Sequence, residues 1–306
     1  MIGIDSISYV IPERRVSTLA RLDELNTTES VVRNRIGVFQ VARKADGEET
    51  SDLCLAAAAK LFATGRVSPE LVDCLVVVTQ NPDGHGLPAT ASVVHGRLDL
   101  PTRCAAFDLS LGCSGFVYGL SVVQSFMESN GLDTGLLVTA DPYSKVVDKH
   151  DRKTALLFGD AAAVTLLSRA PRWRIGRFDF GSRGELRDTL CVREDGLLFM
   201  NGRAVFQFSA KEVPDSIRRT LALNGLTLDS IDRFVLHQGS KAIIDAVGKR
   251  LGIEDRTGFT AESFGNTVSS SVPIAFARDV KAEDRRVVVS GFGVGLSWAT
   301  TVLERV

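Results

Sequence analysis

The sequence lacks several patterns that would indicate a function on their own. Its five cysteines form no C-x-x-C pair, and no cysteine or histidine shows the spacing of a metal site. A phosphate loop of the G-x-x-x-x-G-K-[ST] type is absent, and the glycine run at 291–295 follows a strand without opening a clear helix. We therefore expect no metal, no disulfide framework and no permanently bound cofactor.

The net charge and the short length of the apolar runs exclude further classes of protein. The formal net charge is −1, which predicts no nucleic-acid partner and no attraction to an anionic membrane. No apolar run approaches the roughly 20 residues of a membrane-spanning helix, and the first residues lack the basic start of a secretory signal. Cys54, Cys74 and Cys104 lie in apolar runs that suit reduced core thiols. We expect a cytoplasmic protein.

Weak internal similarity indicates a duplicated α/β unit. Residues 51–80 read as a helix, a turn and a buried strand, and residues 214–238 repeat this order, with Pro214 expected at the helix start. Residues 155–168 and 287–303 each read as a strand pair interrupted by a turn. We predict two α/β halves, 1–170 and 171–306, with helices covering both faces of their sheets.

Cys113 lies among small residues where a buried strand gives way to a helix. Residues 104–109 predict the strand, and Phe116, Leu120 and Val123 then recur at helical spacing. Backbone N–H groups at a helix start stabilise a thiolate, and small neighbours let a substrate approach the sulfur. A buried structural cysteine is the alternative, but the position and the surroundings favour a nucleophile.

His237 and Asn266 lie at comparable places in the second half. His237 ends the apolar run at 234–236, and Asn266 lies in a polar turn before a predicted helix. A histidine can deprotonate the thiol or, together with an asparagine, donate hydrogen bonds to an oxyanion. Attack by water on the thioester would make a hydrolase, whereas a carbanion would form a carbon–carbon bond. Papain-like proteases share the order Cys, His, Asn, but their C-G-[SA]-C-[WY] pattern is absent.

Five segments together resemble one known family. DLSLGCSGF at 108–116 is similar to the nucleophile segment of the β-ketoacyl-acyl-carrier-protein synthase III family. The segments FGDAA at 158–162, VLHQG at 235–239, GNT at 265–267 and GFGVGLSW at 291–298 follow in family order. The resemblance implies the thiolase-like fold, in which two duplicated α/β halves form a layered α-β-α-β-α core.

The resemblance also implies a role for each reactive residue. Cys113 would accept an acyl group from an acyl thioester, and His237 and Asn266 would hold the thioester carbonyl of a malonyl group while it loses carbon dioxide. The resulting enolate would attack the acyl-cysteine and give a 3-oxoacyl product. The backbone N–H groups of Cys113, Val294 and Gly295 would form the oxyanion hole.

Substrate and partner sites follow from the same resemblance. Arg35 and Arg152 match positions near the phosphates of coenzyme A or of a carrier protein. Leu87 and Phe206 would line the acyl tunnel, and Leu87 would reach into the partner of a homodimer. The implied substrates are acyl-coenzyme A or an acyl-acyl carrier protein, together with malonyl-acyl carrier protein.

Three positions depart from the family pattern. Val31 stands where the family has a tryptophan that stacks on adenine, Ala242 replaces the usual carrier-docking arginine, and Val294 replaces a glycine of the oxyanion loop. These changes suggest a specialised homologue whose acyl donor differs from acetyl-coenzyme A. Positive charge that would attract an acidic carrier protein remains at Lys241, Lys249 and Arg250.

Two other functions remain open for the same residues. The enzyme could pass its acyl group to an oxygen or nitrogen nucleophile without decarboxylation, or the chain could be a non-catalytic subunit that supports a homologous partner. The presence of Cys113, His237 and Asn266 argues against the second alternative. Asn266 favours condensation, because its amide is most useful to an enolate. We predict a decarboxylating acyltransferase of fatty-acid or specialised-metabolite synthesis.

Overall fold

The chain folds into fourteen strands and seven α-helices, and a computed structural model describes all 306 residues. The strands are β1 Gly3–Val10, β2 Arg15–Ser17, β3 Gln40–Ala42, β4 Cys74–Val78, β5 Ala105–Leu109, β6 Thr134–Ala140, β7 Ala162–Ser168, β8 Trp173–Ile175, β9 Asp179–Ser182, β10 Leu190–Val192, β11 Leu198–Met200, β12 Arg233–Leu236, β13 Arg286–Gly293 and β14 Ser297–Arg305. The helices are α1 Glu29–Val31, α2 Thr50–Phe62, α3 Thr90–Arg97, α4 Gly115–Asn130, α5 Gly202–Leu223, α6 Lys241–Leu251 and α7 Ser271–Asp279.

Ten strands form one sheet whose two parts repeat the same pairing pattern. In the first part β5 and β6 are both parallel to β4, and β7 and β1 continue in antiparallel order. In the second part β12 and β13 are parallel, and β14 and β8 follow in antiparallel order. A parallel bridge from Phe234 to Thr257 lies where a counterpart of β5 would pair. The predicted duplication is therefore present in the topology.

Strand alternation divides the core into layers. On β4, Leu75 and Val77 pack in one cluster with α2 and α3, whereas Val76 and Val78 pack in another with α4. The second part repeats this arrangement, because alternate residues of β12 and β13 face α5 and α6 on one side and α4 and α7 on the other. The order of layers is helices, strands, helices, strands, helices, as the sequence predicted.

The two parts meet where β1 pairs with β8, at Gly3 with Arg174 and Ile4 with Trp173. The predicted boundary at residues 170 and 171 lies in the loop between β7 and β8. The division of the chain into two units at that point stays a prediction.

Two predictions about single elements are wrong. Pro214 does not start a helix, because it lies inside α5, where the buried face of a long amphipathic helix continues through it. A proline at this place removes the N–H that would bond the carbonyl of Ala210, and the Arg250 guanidinium donates to that carbonyl instead, at 2.9 Å. Residues 155–168 contain the single strand β7 rather than a strand pair, because residues 155–158 turn toward Asn266.

Candidate active site

Cys113 lies in the turn between β5 and α4, two residues before the helix begins, as predicted. Its neighbours are small because the protein packs closely around them. A Cβ on Gly112 would lie 2.6 Å from Val294 Cγ1, and one on Gly115 would lie 2.4 Å from Val78 Cγ1. The packing of the turn therefore requires these small residues, and the substrate access that the sequence suggested stays a prediction.

The Cys113 sulfur is buried and faces the loop between β13 and β14. A Cβ on Gly293, which has a φ of +154°, would lie 2.7 Å from the sulfur, so this close approach requires glycine. Burial raises the pKa of the Cys113 thiol to about 12, while the backbone N–H of Val294 acts in the opposite direction. Burial outweighs the backbone hydrogen bonds that favour the thiolate, and the group rests as a thiol at neutral pH.

His237 follows β12 directly and is almost completely buried. Its Nδ1 lies 2.6 Å from Ser271 Oγ, at the first residue of α7, and its Nε2 lies 3.5 Å from Asn266 Nδ2. Burial lowers the pKa of His237 to about 3, against a smaller opposing effect of the Val268 backbone. The imidazole is therefore neutral at physiological pH.

Asn266 is held in one orientation by the backbone around it. Its side-chain Oδ1 accepts a hydrogen bond from the backbone N–H of Val268 at 2.9 Å, and the backbone N–H of Asn266 donates to the Leu157 carbonyl at 2.8 Å. Because the amide oxygen already has this donor, the amide nitrogen is the atom that faces His237. The amide nitrogen is therefore available as a donor beside the histidine in the cavity lining.

A cavity of about 790 Å³ contains Cys113, His237 and Asn266 in its lining. Of the predicted substrate residues, Arg35, Arg152 and Phe206 line the same cavity. Two further cations of the lining were missed by the sequence reasoning, which had no motif for them: Lys153 and Arg203. The remaining wall is largely apolar and includes Leu157, Phe158, Leu190, Met200, Val205, Ile243 and Phe292.

The loop that was predicted to supply oxyanion donors is tied to the nucleophile turn. Ser297 Oγ donates to the Val294 carbonyl at 3.0 Å and lies 2.8 Å from Ser114 Oγ. Both Val294 and Gly295 lie between β13 and β14, and the N–H of Val294 is the one that acts on the sulfur. These contacts hold the loop beside Cys113.

The other predicted binding residues lie away from the cavity lining. Leu87 is 93% exposed on the loop before α3. Lys241 forms an ion pair with Asp245 at 2.6 Å, and Lys249 is exposed. The guanidinium of Arg250 donates to the carbonyl of Ala210 in α5, so part of it has a structural role.

No group of three or more His, Cys, Asp or Glu side chains is arranged to hold a metal ion. None of the helices has both the length and the apolar character needed to cross a bilayer.

Comparison with known proteins identifies the family. The profile described as 3-Oxoacyl-[acyl-carrier-protein (ACP)] synthase III matches residues 107–184, and its C-terminal companion matches residues 221–305. The beta-ketoacyl-[acyl-carrier-protein] synthase III of Lactococcus lactis subsp. cremoris is 32% identical over 322 residues, which cover 98% of each chain. The chain belongs to the 3-oxoacyl-[acyl-carrier-protein] synthase III family.

Solved structures of this synthase III family confirm the thiolase-like fold. A 2.1 Å crystal structure of a 3-oxoacyl-(acyl-carrier-protein) synthase III superposes with a TM-score of 0.92 and 36% identity, and covers 99% of each chain. The synthase III of Pseudomonas aeruginosa PAO1 gives a TM-score of 0.91 and 32% identity over 99% of this chain and 98% of that one. The family and the fold class predicted from the sequence are both confirmed.

Proposed function

We propose that this protein is a condensing acyltransferase that joins an acyl group to a malonyl thioester with loss of carbon dioxide. The observation that carries the proposal is the convergence of a thiol, a neutral imidazole and an oriented amide in one buried, mostly apolar cavity. Exclusion of water protects an acyl-cysteine from hydrolysis and leaves a carbanion as the attacking group. Family membership supports the same reaction.

The first half-reaction loads Cys113. Before the donor fills the cavity the thiol loses its proton to solvent through the cavity mouth. The thiolate then attacks the carbonyl carbon of an acyl thioester, and the carbon–sulfur bond to the donor breaks. The donor leaves as a thiolate and takes a proton from solvent, so the acyl group moves without net change in charge. The N–H of Val294 and the start of α4 supply hydrogen bonds and a positive dipole end to the sulfur and the oxyanion.

The second half-reaction forms the carbon–carbon bond. The malonyl carboxylate leaves as carbon dioxide, and the electrons of that bond form an enolate whose oxygen accepts hydrogen bonds from His237 and Asn266. The enolate carbon attacks the acyl-cysteine carbonyl and expels the Cys113 thiolate, which takes one proton. The products are a 3-oxoacyl thioester, carbon dioxide and the free thiol.

The mouth of the cavity fits a donor that carries phosphate. Arg35, Arg152, Lys153 and Arg203 line the cavity together and would attract the phosphates of coenzyme A or of a carrier prosthetic group. Phe206 and the apolar wall would contact the acyl chain or the arm that carries it. We assign acyl-coenzyme A or acyl carrier protein as donor, and malonyl-acyl carrier protein as extender, with Lys241, Lys249 and Arg250 as its docking face.

Intact-protein mass spectrometry tests the assignment. Incubation with acyl thioesters should add one acyl mass to the wild type and none to C113A, whereas C191A should still be acylated, because Cys191 is a partly exposed thiol outside the cavity lining. N266A should be acylated but release little carbon dioxide from malonyl-acyl carrier protein. Acyl mass on C113A would disprove the nucleophile assignment. Acylated wild type that releases no carbon dioxide would instead favour transfer to another nucleophile.

We propose that two copies assemble through the β5 edge of the sheet. β5 has no partner on its outer side, and Phe107 on this strand packs edge-on against Phe126 at 5.5 Å. Tyr118 of α4 and the 43% exposed Phe180 add apolar surface, with their ring centroids 4.9 Å apart. Two such edges can pair antiparallel across a twofold axis and cover this surface, which would bring Leu87 toward the neighbouring copy. Light scattering should give twice the 33.0 kDa chain mass; a monomeric mass would contradict the proposal.

We place the protein in the cytoplasm. All five cysteines are unpaired, and four of them are buried as thiols, which suits a reducing compartment.

A further inference from the structure

His237 has two polar side-chain neighbours of different hydrogen-bonding character. The amide nitrogen of Asn266, 3.5 Å from Nε2, can only donate. The hydroxyl of Ser271, 2.6 Å from Nδ1, is the one neighbour that can do either, since it rotates about its C–O bond. Ser271 is 1% exposed, so water does not compete for this contact.

Condensation requires one tautomer of the histidine. Asn266 Nδ2 and His237 Nε2 lie 3.5 Å apart, so one thioester oxygen placed against both could accept a hydrogen bond from each. A neutral imidazole carries a single N–H, and Nε2 can donate only when Nδ1 carries no proton. A bare Nδ1 in a buried site then needs a donor of its own.

We propose that Ser271 is a positioning residue that donates its hydroxyl proton to Nδ1 of His237 and so keeps the imidazole proton on Nε2, facing the malonyl thioester oxygen. This inference rests on the condensation proposed above. The place of Ser271 supports it: as the first residue of α7 it is fixed by the helix, and it lies five residues after Asn266 on the same chain segment. The segment 266–271 therefore supplies the amide and also sets the tautomer of His237.

A matched control is available beside it. Ser270 is equally buried at the start of the same helix, but its hydroxyl donates to the Thr139 carbonyl at 2.8 Å and has no contact with His237. S270A removes a buried hydroxyl at the adjacent position without touching the imidazole. S271T keeps a hydroxyl at the proposed position and serves as the conservative variant.

The experiment measures both half-reactions separately on the full-length protein. Acylation of Cys113 is followed by mass, and decarboxylation of malonyl-acyl carrier protein is followed as carbon dioxide release. We expect S271A to lower kcat of decarboxylation roughly 100-fold, the loss typical of one oxyanion donor, with KM and the acylation rate little changed. S270A should retain the wild-type rates, and S271T should recover much of the loss.

Three outcomes would overturn the inference: decarboxylation by S271A close to the wild-type rate, an equal loss in S270A, or an equal loss of acylation in S271A, which would indicate a general structural effect. Failure of the condensation proposal itself is distinguishable, because the wild type would then be acylated and release no carbon dioxide.

Discussion

At the scale of single residues, the protonation of Cys113 and His237 defines the chemistry. Burial acts on both groups in the direction that disfavours charge, so the thiol and the imidazole are neutral at pH 7. The site therefore does not hold a preformed thiolate–imidazolium pair. It holds a neutral thiol, and the backbone N–H groups of Val294 and Cys113 and the start of α4 favour the anion as it forms.

This protonation state predicts the pH dependence of acylation. With a thiol pKa of about 12, the thiolate fraction rises tenfold for each pH unit between 7 and 9. We expect the acylation rate constant measured by mass to rise in proportion over that range. His237, with a pKa of about 3, changes its charge well below this range. H237A should keep the same slope, and a flat profile in the wild type would contradict a thiol that is protonated throughout this range.

The proposed reactive residues could be singled out from the sequence because each lies beside a strong local signal. Cys113 lies between an apolar strand and a helix, His237 follows an apolar strand directly, and Asn266 lies in a polar turn before a helix. Ser271 gave no such signal, because it is one of three consecutive serines. Only the folded structure shows that its hydroxyl contacts the imidazole of His237. Lys153 and Arg203 were missed for the same reason: their position in the cavity lining depends on the folding of distant segments.

At the scale of elements, α5 contains a proline in its interior, where proline normally ends or kinks a helix. Tertiary contacts override that local preference. A proline inside a helix normally costs about 3 kcal/mol, partly through a lost hydrogen bond. Here the freed carbonyl of Ala210 accepts from Arg250 on α6, and Pro214 itself is buried. The sequence could not reveal this pairing, because the donor lies 40 residues from its acceptor. For the same reason the sequence suggested only a surface charge at Arg250 and gave no sign of this hydrogen bond.

A double-mutant cycle tests the link between these helices. R250A should destabilise the wild type by about 1 kcal/mol, the usual net value of such a hydrogen bond. In P214A the backbone N–H restored at position 214 can donate to the Ala210 carbonyl, so R250A should cost less in that background. Urea unfolding of the four proteins gives the coupling energy. Equal costs of R250A in both backgrounds would show that the two residues act independently.

At the scale of the whole molecule, the central helices join the two parts. Phe116 and Leu120 of α4 belong to the same core cluster as Val287 and Val289 of β13. Each such side chain contributes about 1.5–3 kcal/mol by burial, which neither part would retain alone. The family resemblance already implied duplicated α/β units around a middle layer of helices, but which side chains join them across that layer is a property of packing.

We therefore expect one cooperative unfolding transition. Both tryptophans, Trp173 and Trp298, lie after residue 170, whereas the buried thiols of Cys54, Cys74 and Cys104 lie before it. Tryptophan fluorescence and thiol accessibility thus report on different halves during urea unfolding, and far-ultraviolet circular dichroism reports on both. The three midpoints should coincide. Separate midpoints for fluorescence and thiol exposure would show that residues 1–170 and 171–306 unfold independently.

The repeated topology has a consequence for how such a site can arise. α4 and α7 occupy the same layer, and the turns that precede them carry Cys113 and Asn266 into one cavity. Two identical units related by a true twofold axis would have to present the same residue from both turns, either two sulfurs or two amides. Covalent linkage of the units removes that constraint. Each copy can then change on its own, and a thiol in one unit and an amide in the other come to line the same cavity.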